Sequence, residues 1–164
     1  RRMASMPPEE IDWVPVEDLQ LMGILTGIVK HESIKIDIVS GLPVLVIDQS
    51  NVFGDYSLLL TCRDGILSGI ATLQDPENPV FGFLTLGLDG ADHSEQQWKV
   101  EQRSGGRTSF SFKLPGSVGD LASHARWIGM FVYDPSQTFW YGFEVEVTDN
   151  SQYATLRNCS TSTR

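Results

Sequence analysis

Two runs decide the fold: Trp127-Ile128-Gly129-Met130-Phe131-Val132-Tyr133 and Thr138-Phe139-Trp140-Tyr141-Gly142-Phe143-Glu144-Val145-Glu146-Val147-Thr148. Between them stands Asp134-Pro135-Ser136-Gln137, a turn-forming break. In the second run Phe139, Tyr141, Phe143, Val145 and Val147 fall at every second position, with Trp140, Gly142, Glu144, Glu146 and Thr148 between them. Successive side chains of a strand point to opposite faces, so a period of two means a pleated strand with one apolar and one polar side. The first run is almost wholly apolar and rich in β-branched and aromatic types, which suits a strand beside it. Arg126 to Asn150 is therefore one long β-hairpin.

Working outward, the same grammar recurs. Ile34, Ile36 and Ile38 alternate with Lys35 and Asp37, a half-buried strand, and Gly41-Leu42-Pro43 turns the chain into Val44 to Ile47. Asp48 to Asp55 reads as a loop. Tyr56 to Cys62 and Ile66 to Leu73 flank Arg63-Asp64-Gly65, whose Asp-Gly pair favours a tight hairpin. Val80 to Leu88 is a further strand after the proline-bearing loop Asp75 to Pro79, and Asp89 to Glu95 reads as an acidic loop. Gln97 to Gln102 and Thr108 to Lys113 make a hairpin around Ser104-Gly105-Gly106, and one helical turn fits Asp120 to His124. About nine short strands with turn signals between them predict an antiparallel β-sandwich, jelly-roll or Ig-like.

Three segments follow: a lead and arm over 1–30, the sandwich over 31–149, and a polar, Ser/Thr-rich tail or linker over 150–164. Gly23 and Gly27 disfavour a long helix in the arm. It is expected to pack on the sandwich or on a neighbouring subunit. Arg1 to Glu10 is polar with no leader pattern, and the numbering is expected to start inside a larger chain.

Composition narrows the function. The chain has 164 residues with 12 Lys+Arg against 21 Asp+Glu, a formal charge of −9. Duplexes and anionic membranes are bound through clustered Lys and Arg, so nucleic acid is not an expected partner. The local basic cluster Arg103 to Arg107 reads as a solvated hairpin loop. No apolar run reaches the ~18 residues of a membrane helix, and no membrane insertion is expected. Cys62 lies in a strand pattern and Cys159 in the polar tail, so the sequence leaves their pairing open. Asn158-Cys159-Ser160 matches the N-x-S glycosylation pattern and leans toward an extracellular or virion-surface setting.

Catalytic and cofactor signatures are missing from the sequence. His31, His93 and His124 are widely spaced, no Cys-x-x-Cys accompanies them, and Gly116-Ser117-Val118-Gly119 does not have the spacing of a nucleophile elbow. No metal site or cofactor is expected: Asp89, Asp92 and Glu95 do not have the spacing of a calcium loop. Glu144 and Glu146 share a strand face, as the two carboxylates of a glycosidase must. Their blander role is to keep a strand face charged and solvated. Trp140 stands on that same face, and an aromatic surface beside hydrogen-bond acceptors suits a glycan or a protein receptor.

The expectation is a non-enzymatic recognition module that projects from a larger surface assembly and binds through Trp140, Glu144 and Glu146. In architecture it resembles the protruding domains of small viral capsid proteins, carbohydrate-binding modules and microbial adhesins. The competing expectations are a glycan-active hydrolase using Glu144 and Glu146, and a structural subunit that forms a homo-oligomer through its N-terminal arm.

Overall fold

The computed structural model describes residues 29–51, 54–74, 83–94, 99–133, 140–157 and 159. Residues 1–28 of the N-terminal arm, the Asp75 to Pro79 loop, Glu95 and the Asp134 to Gln137 turn lie outside them. Among the described residues ten strands form two antiparallel sheets, where about nine were expected of the chain. The larger sheet holds β1 (His31–Val39), β2 (Leu42–Asn51), β3 (Gly54–Arg63), β4 (Ile66–Gln74), β7 (Lys99–Ser104) and β8 (Arg107–Pro115) in the order β1-β2-β3-β4-β8-β7. The smaller holds β5 (Phe83–Leu88), β6 (Ala91–Ser94), β9 (Trp127–Tyr133) and β10 (Trp140–Glu146) in the order β10-β9-β5-β6. The all-β sandwich expected from the sequence is present, and its order opens with a four-strand meander.

Two-residue turns set the register. Ser40-Gly41, Asp64-Gly65, Asp89-Gly90 and Gly105-Gly106 all have positive φ at both positions, the geometry that matches the twist of a hairpin. Alternation then sorts the faces. Leu45 and Ile47 of β2, Tyr56, Leu58 and Leu60 of β3, and Leu67, Ala71 and Leu73 of β4 are buried toward the smaller sheet. Ile128, Met130 and Val132 of β9, with Phe143 and Val145 of β10, meet them, and the Tyr56 and Phe143 rings lie 5.6 Å apart. The hairpin face assignment therefore holds for Phe143, Val145 and Val147. Gln49, at 4% exposure, reaches across the gap and donates to the Glu144 carbonyl at 3.0 Å.

Four local readings are corrected. Residues 48–51 and 54–55 continue β2 and β3, because Gln49 and Asn51 are buried where the Asp48 to Asp55 polar run suggested a loop. Ala91–Ser94 is a strand rather than loop, since Asp89-Gly90 is itself the turn. The short helix α1 spans Gly116–Ala122, so it begins four residues before the expected Asp120 to His124 turn and overlaps its first half. β1 is exposed rather than half-buried: its isoleucines face the core side, but it is the edge of the wider sheet.

The largest correction is at the C-terminus. Asn150–Thr155 forms a 3-10 helix, capped by the Asp149 carboxylate, which accepts from Ser151 N at 2.8 Å. Tyr153, Leu156 and Cys159 are buried in the core, and Cys159 is bonded to Cys62 with the Cα atoms 5.3 Å apart. The Tyr153 hydroxyl donates to the Ala125 carbonyl. Gly119 of α1 makes room for this bond, as a Cβ there would come within 2.6 Å of Cys159 Cβ. Up to residue 159 the segment expected to be a tail is thus part of the folded domain.

Candidate functional site

The outer face of the smaller sheet carries the candidate site. Alternation in β9 and β10 turns Trp127, Gly129, Phe131 and Tyr133 outward together with Gly142, Glu144 and Glu146, while Ile128, Met130, Val132, Phe143 and Val145 go to the core. Cross-strand register then assembles rows. Glu144 is opposite Gly129, Gly129 opposite Gly87, and Gly87 opposite Asp92. Two carboxylates are thereby set at the ends of a row whose middle has no side chains. Trp140, Tyr133 and Phe83 make a second row by register, in which the Tyr133 and Phe83 rings stack at 4.9 Å and 10°. Between the two lies Phe131, opposite Gly142 on one side and Thr85 on the other.

The glycines are required by close approach. A Cβ at Gly129 would sit 2.5 Å from the Phe143 carbonyl oxygen, and one at Gly87 would sit 2.5 Å from Cε2 of Phe131. The Phe131 ring therefore leans over Gly87, and the apolar middle of the face is continuous with its carboxylate row. Thr85, at 2% exposure, holds a hydroxyl beside this row that has no hydrogen-bond partner among the described residues.

The carboxylates are differently held. Asp89 Oδ1 accepts from the Trp127 backbone N–H at 2.8 Å, and Asp89 N donates back to the Trp127 carbonyl at 3.0 Å, so the β5–β6 turn is stapled to the start of β9. Asp92 accepts from the Tyr133 hydroxyl at 2.7 Å. Burial first, and then this bond and the Asp92 charge, push the Tyr133 hydroxyl up to about 12, so it remains a donor. Glu146 is ion-paired with the Arg126 guanidinium at 2.7 Å. Glu144 has no such cation among the described residues: partial burial, then the Asp89 and Asp92 charges, raise its pKa above the ordinary carboxylate value. Its carboxyl is the one in this group that gains most from an incoming hydrogen-bond donor.

Glu144 and Glu146, read from the sequence as sharing a face, do share it, whereas the Trp140 side chain lies outside what the structure describes and only its backbone pairing with Tyr133 is given. Asp92, Trp127, Phe131 and Tyr133 join them from other strands, a grouping set by pairing register that the sequence does not display. Among the described residues no group of three or more His, Cys, Asp or Glu side chains could hold a metal ion, and no helix is long and apolar enough to cross a membrane. Comparison with known protein families, curated proteins and solved structures finds no match to this chain.

Proposed function

We propose that the chain is a β-sandwich attachment module, and that the outer face of its smaller sheet binds a neutral glycan of a surface receptor. The observation that carries this reading is the Glu144–Gly129–Gly87–Asp92 row lying beside Phe131 and the stacked Phe83–Tyr133 pair. Sugars present apolar C–H faces together with hydroxyl donors, and they dock where aromatic surface meets carboxylate acceptors. The Phe131 ring lying over Gly87 offers a sugar ring an apolar surface between the two carboxylates. The Cys62–Cys159 bond and the N-x-S pattern support an oxidising, extracellular or virion-surface setting.

A glycan array probed with the intact chain tests the proposal, with Glu144→Gln, Trp127→Ala and Trp140→Ala in parallel and circular dichroism to verify folding. Selective glycan binding that Glu144→Gln weakens at least about tenfold, the worth of one charge-assisted hydrogen bond, is the expected result. Absence of binding, or binding that none of the three variants changes, overturns it. Binding to proteins alone, falling steeply as salt rises, would replace the glycan by a basic protein surface. The raised pKa of Glu144 gives the hydrolase reading one carboxyl suited to hold a proton, whereas Glu146 is engaged by Arg126. Assaying sugar release with the same Glu144→Gln variant separates hydrolysis from binding.

A further inference from the structure

Gln49 occupies a place in β2 that the pattern of the strand gives to an apolar side chain. It shares the core-facing side with Leu45 and Ile47, which are fully buried, and is itself at 4% exposure. A buried side-chain amide costs the fold unless it is hydrogen-bonded, and an apolar residue of similar volume would fill the same space. Its Nε2 donates to the Glu144 carbonyl of the other sheet at 3.0 Å and to the Glu32 carboxylate at 3.3 Å. Its Oε1 accepts from Asn51 Nδ2 at 3.5 Å. A main-chain carbonyl and a carboxylate can only accept, so the amide is held one way round.

Strand parity explains why Glu144 supplies the acceptor. Val147 N donates to the Arg126 carbonyl at 2.8 Å, which marks Val147 and Arg126 as a hydrogen-bonded pair of the ladder. Counting back along the register, Val145 and Phe143 bond to β9, and Glu144 turns its N–H and C=O away from β9. The smaller sheet ends at β10 among the described residues. The Glu144 main chain is therefore held by a side chain of the opposite sheet, while its carboxyl leaves the strand on the outer face.

We infer that Gln49 is the positioning residue of Glu144: by gripping its main chain from β2, it fixes the height and direction at which the carboxyl is presented on the outer face. This rests on the reading of Glu144 as an acceptor for a sugar. Within its own sheet β10 is bonded to β9 alone among the described residues, and a strand bonded along one side can rock about that ladder. The bond from Gln49 opposes the rocking at the residue whose placement matters. Binding groups act well only when held within about 0.5 Å of their productive geometry, and supporting hydrogen bonds supply that hold. Glu32 and Asn51 steady Gln49 in turn.

Two variants of the full chain test the inference. Gln49→Met keeps the volume and removes both donated bonds, whereas Glu32→Ala, at an exposed position of β1, loosens Gln49 without touching the core. NMR titration of the Glu144 side-chain carboxyl needs no glycan. In Gln49→Met its midpoint should move down toward the ordinary carboxylate range, because the released strand lets water reach the carboxyl while Asp89 and Asp92 stay in place. Affinity for the neutral oligosaccharide that ranks first on the array should fall at least about threefold, and Glu32→Ala should move both readouts the same way by less. In the Glu144→Gln background, Gln49→Met should change affinity by less than about 1.5-fold, since a residue that acts through another has nothing left to position. A folded Gln49→Met chain whose Glu144 titration does not move overturns the inference, and so does an affinity loss of equal size in both backgrounds. Should Gln49→Met fail to fold, an unmoved titration in Glu32→Ala overturns it instead. If no glycan binds on the array, the glycan reading falls, and the titration alone decides whether Gln49 positions Glu144.

Discussion

Replacing Cys62 and Cys159 together by Ala should be among the most damaging changes away from the hairpin. The bond closes a separation of 97 residues. In the chain-entropy account a loop of that size restricts the unfolded chain by about 4.7 kcal/mol. Native crosslinks commonly deliver somewhat less, so a loss of about 3–5 kcal/mol is expected. For a domain of this length each kcal/mol moves the midpoint by about 2–4 °C, which puts the drop near 10 °C or a little more. The damage has a structural route as well. Cys159 sits at 4% exposure against Gly119, and its bond holds Tyr153 and Leu156 in the core in a segment that forms no β-ladder among the described residues. Urea and thermal unfolding without reductant measure the loss, and the wild-type chain in reductant should reproduce the double variant. A loss under about 1 kcal/mol would refute the reasoning, because a docked, covalently closed loop of this size cannot be removed so cheaply.

Phe143→Ala should cost about 3–5 kcal/mol by denaturant titration, the usual range for a buried aromatic, since the ring is 3% exposed and lies against Tyr56. Less than 1 kcal/mol would mean that the faces of β10 are inverted. Gly119→Ala should destabilise by about 1–3 kcal/mol through crowding at Cys159, despite alanine's better helix propensity. Unchanged stability with the disulfide intact would remove the close approach from the account.

Strand existence was legible because Ile34-Lys35-Ile36-Asp37-Ile38 and Phe143-Glu144-Val145-Glu146-Val147 alternate cleanly, and Asp64-Gly65 announces its own turn. Asp89-Gly90 bears the same dipeptide and could have been read the same way; the surrounding acidic residues obscured it. At the C-terminus the signal was present at another period. Tyr153, Leu156 and Cys159 recur every third residue, the repeat of a 3-10 helix, within a run otherwise polar enough to pass for a tail. What no local pattern holds is relative sheet width and register. Exposure of Ile36 and Ile38 follows from a six-stranded sheet lying on a four-stranded one, and the placing of Glu144 and Asp92 at the two ends of one row follows from three successive pairings.

Glu144 allows function and stability to be separated in one residue. Its folded-state pKa is raised, by partial burial first and then by Asp89 and Asp92, above the value it has in the unfolded chain. In the window between those two values the native state binds more protons than the unfolded state, so stability falls as pH rises through it. Below the unfolded value both states are protonated and the penalty is absent; above the folded value it is fully present. Glu144→Gln cannot ionise, so it should leave stability unchanged near pH 4 or below and should equal or raise it at neutral pH. The stability–pH profile should flatten in between. A carboxylate held for packing or for an ion pair would behave oppositely, with the glutamine variant less stable at neutral pH. The pH series of denaturant midpoints for the two chains, set beside their glycan affinities, makes the test. A variant that is at least as stable yet binds less tightly marks Glu144 as retained for recognition, since groups placed for binding commonly sit at some expense to the fold. If glutamine lowers stability at pH 7 and leaves binding unchanged, Glu144 belongs to the scaffold, and the recognition reading of this face loses its central acceptor.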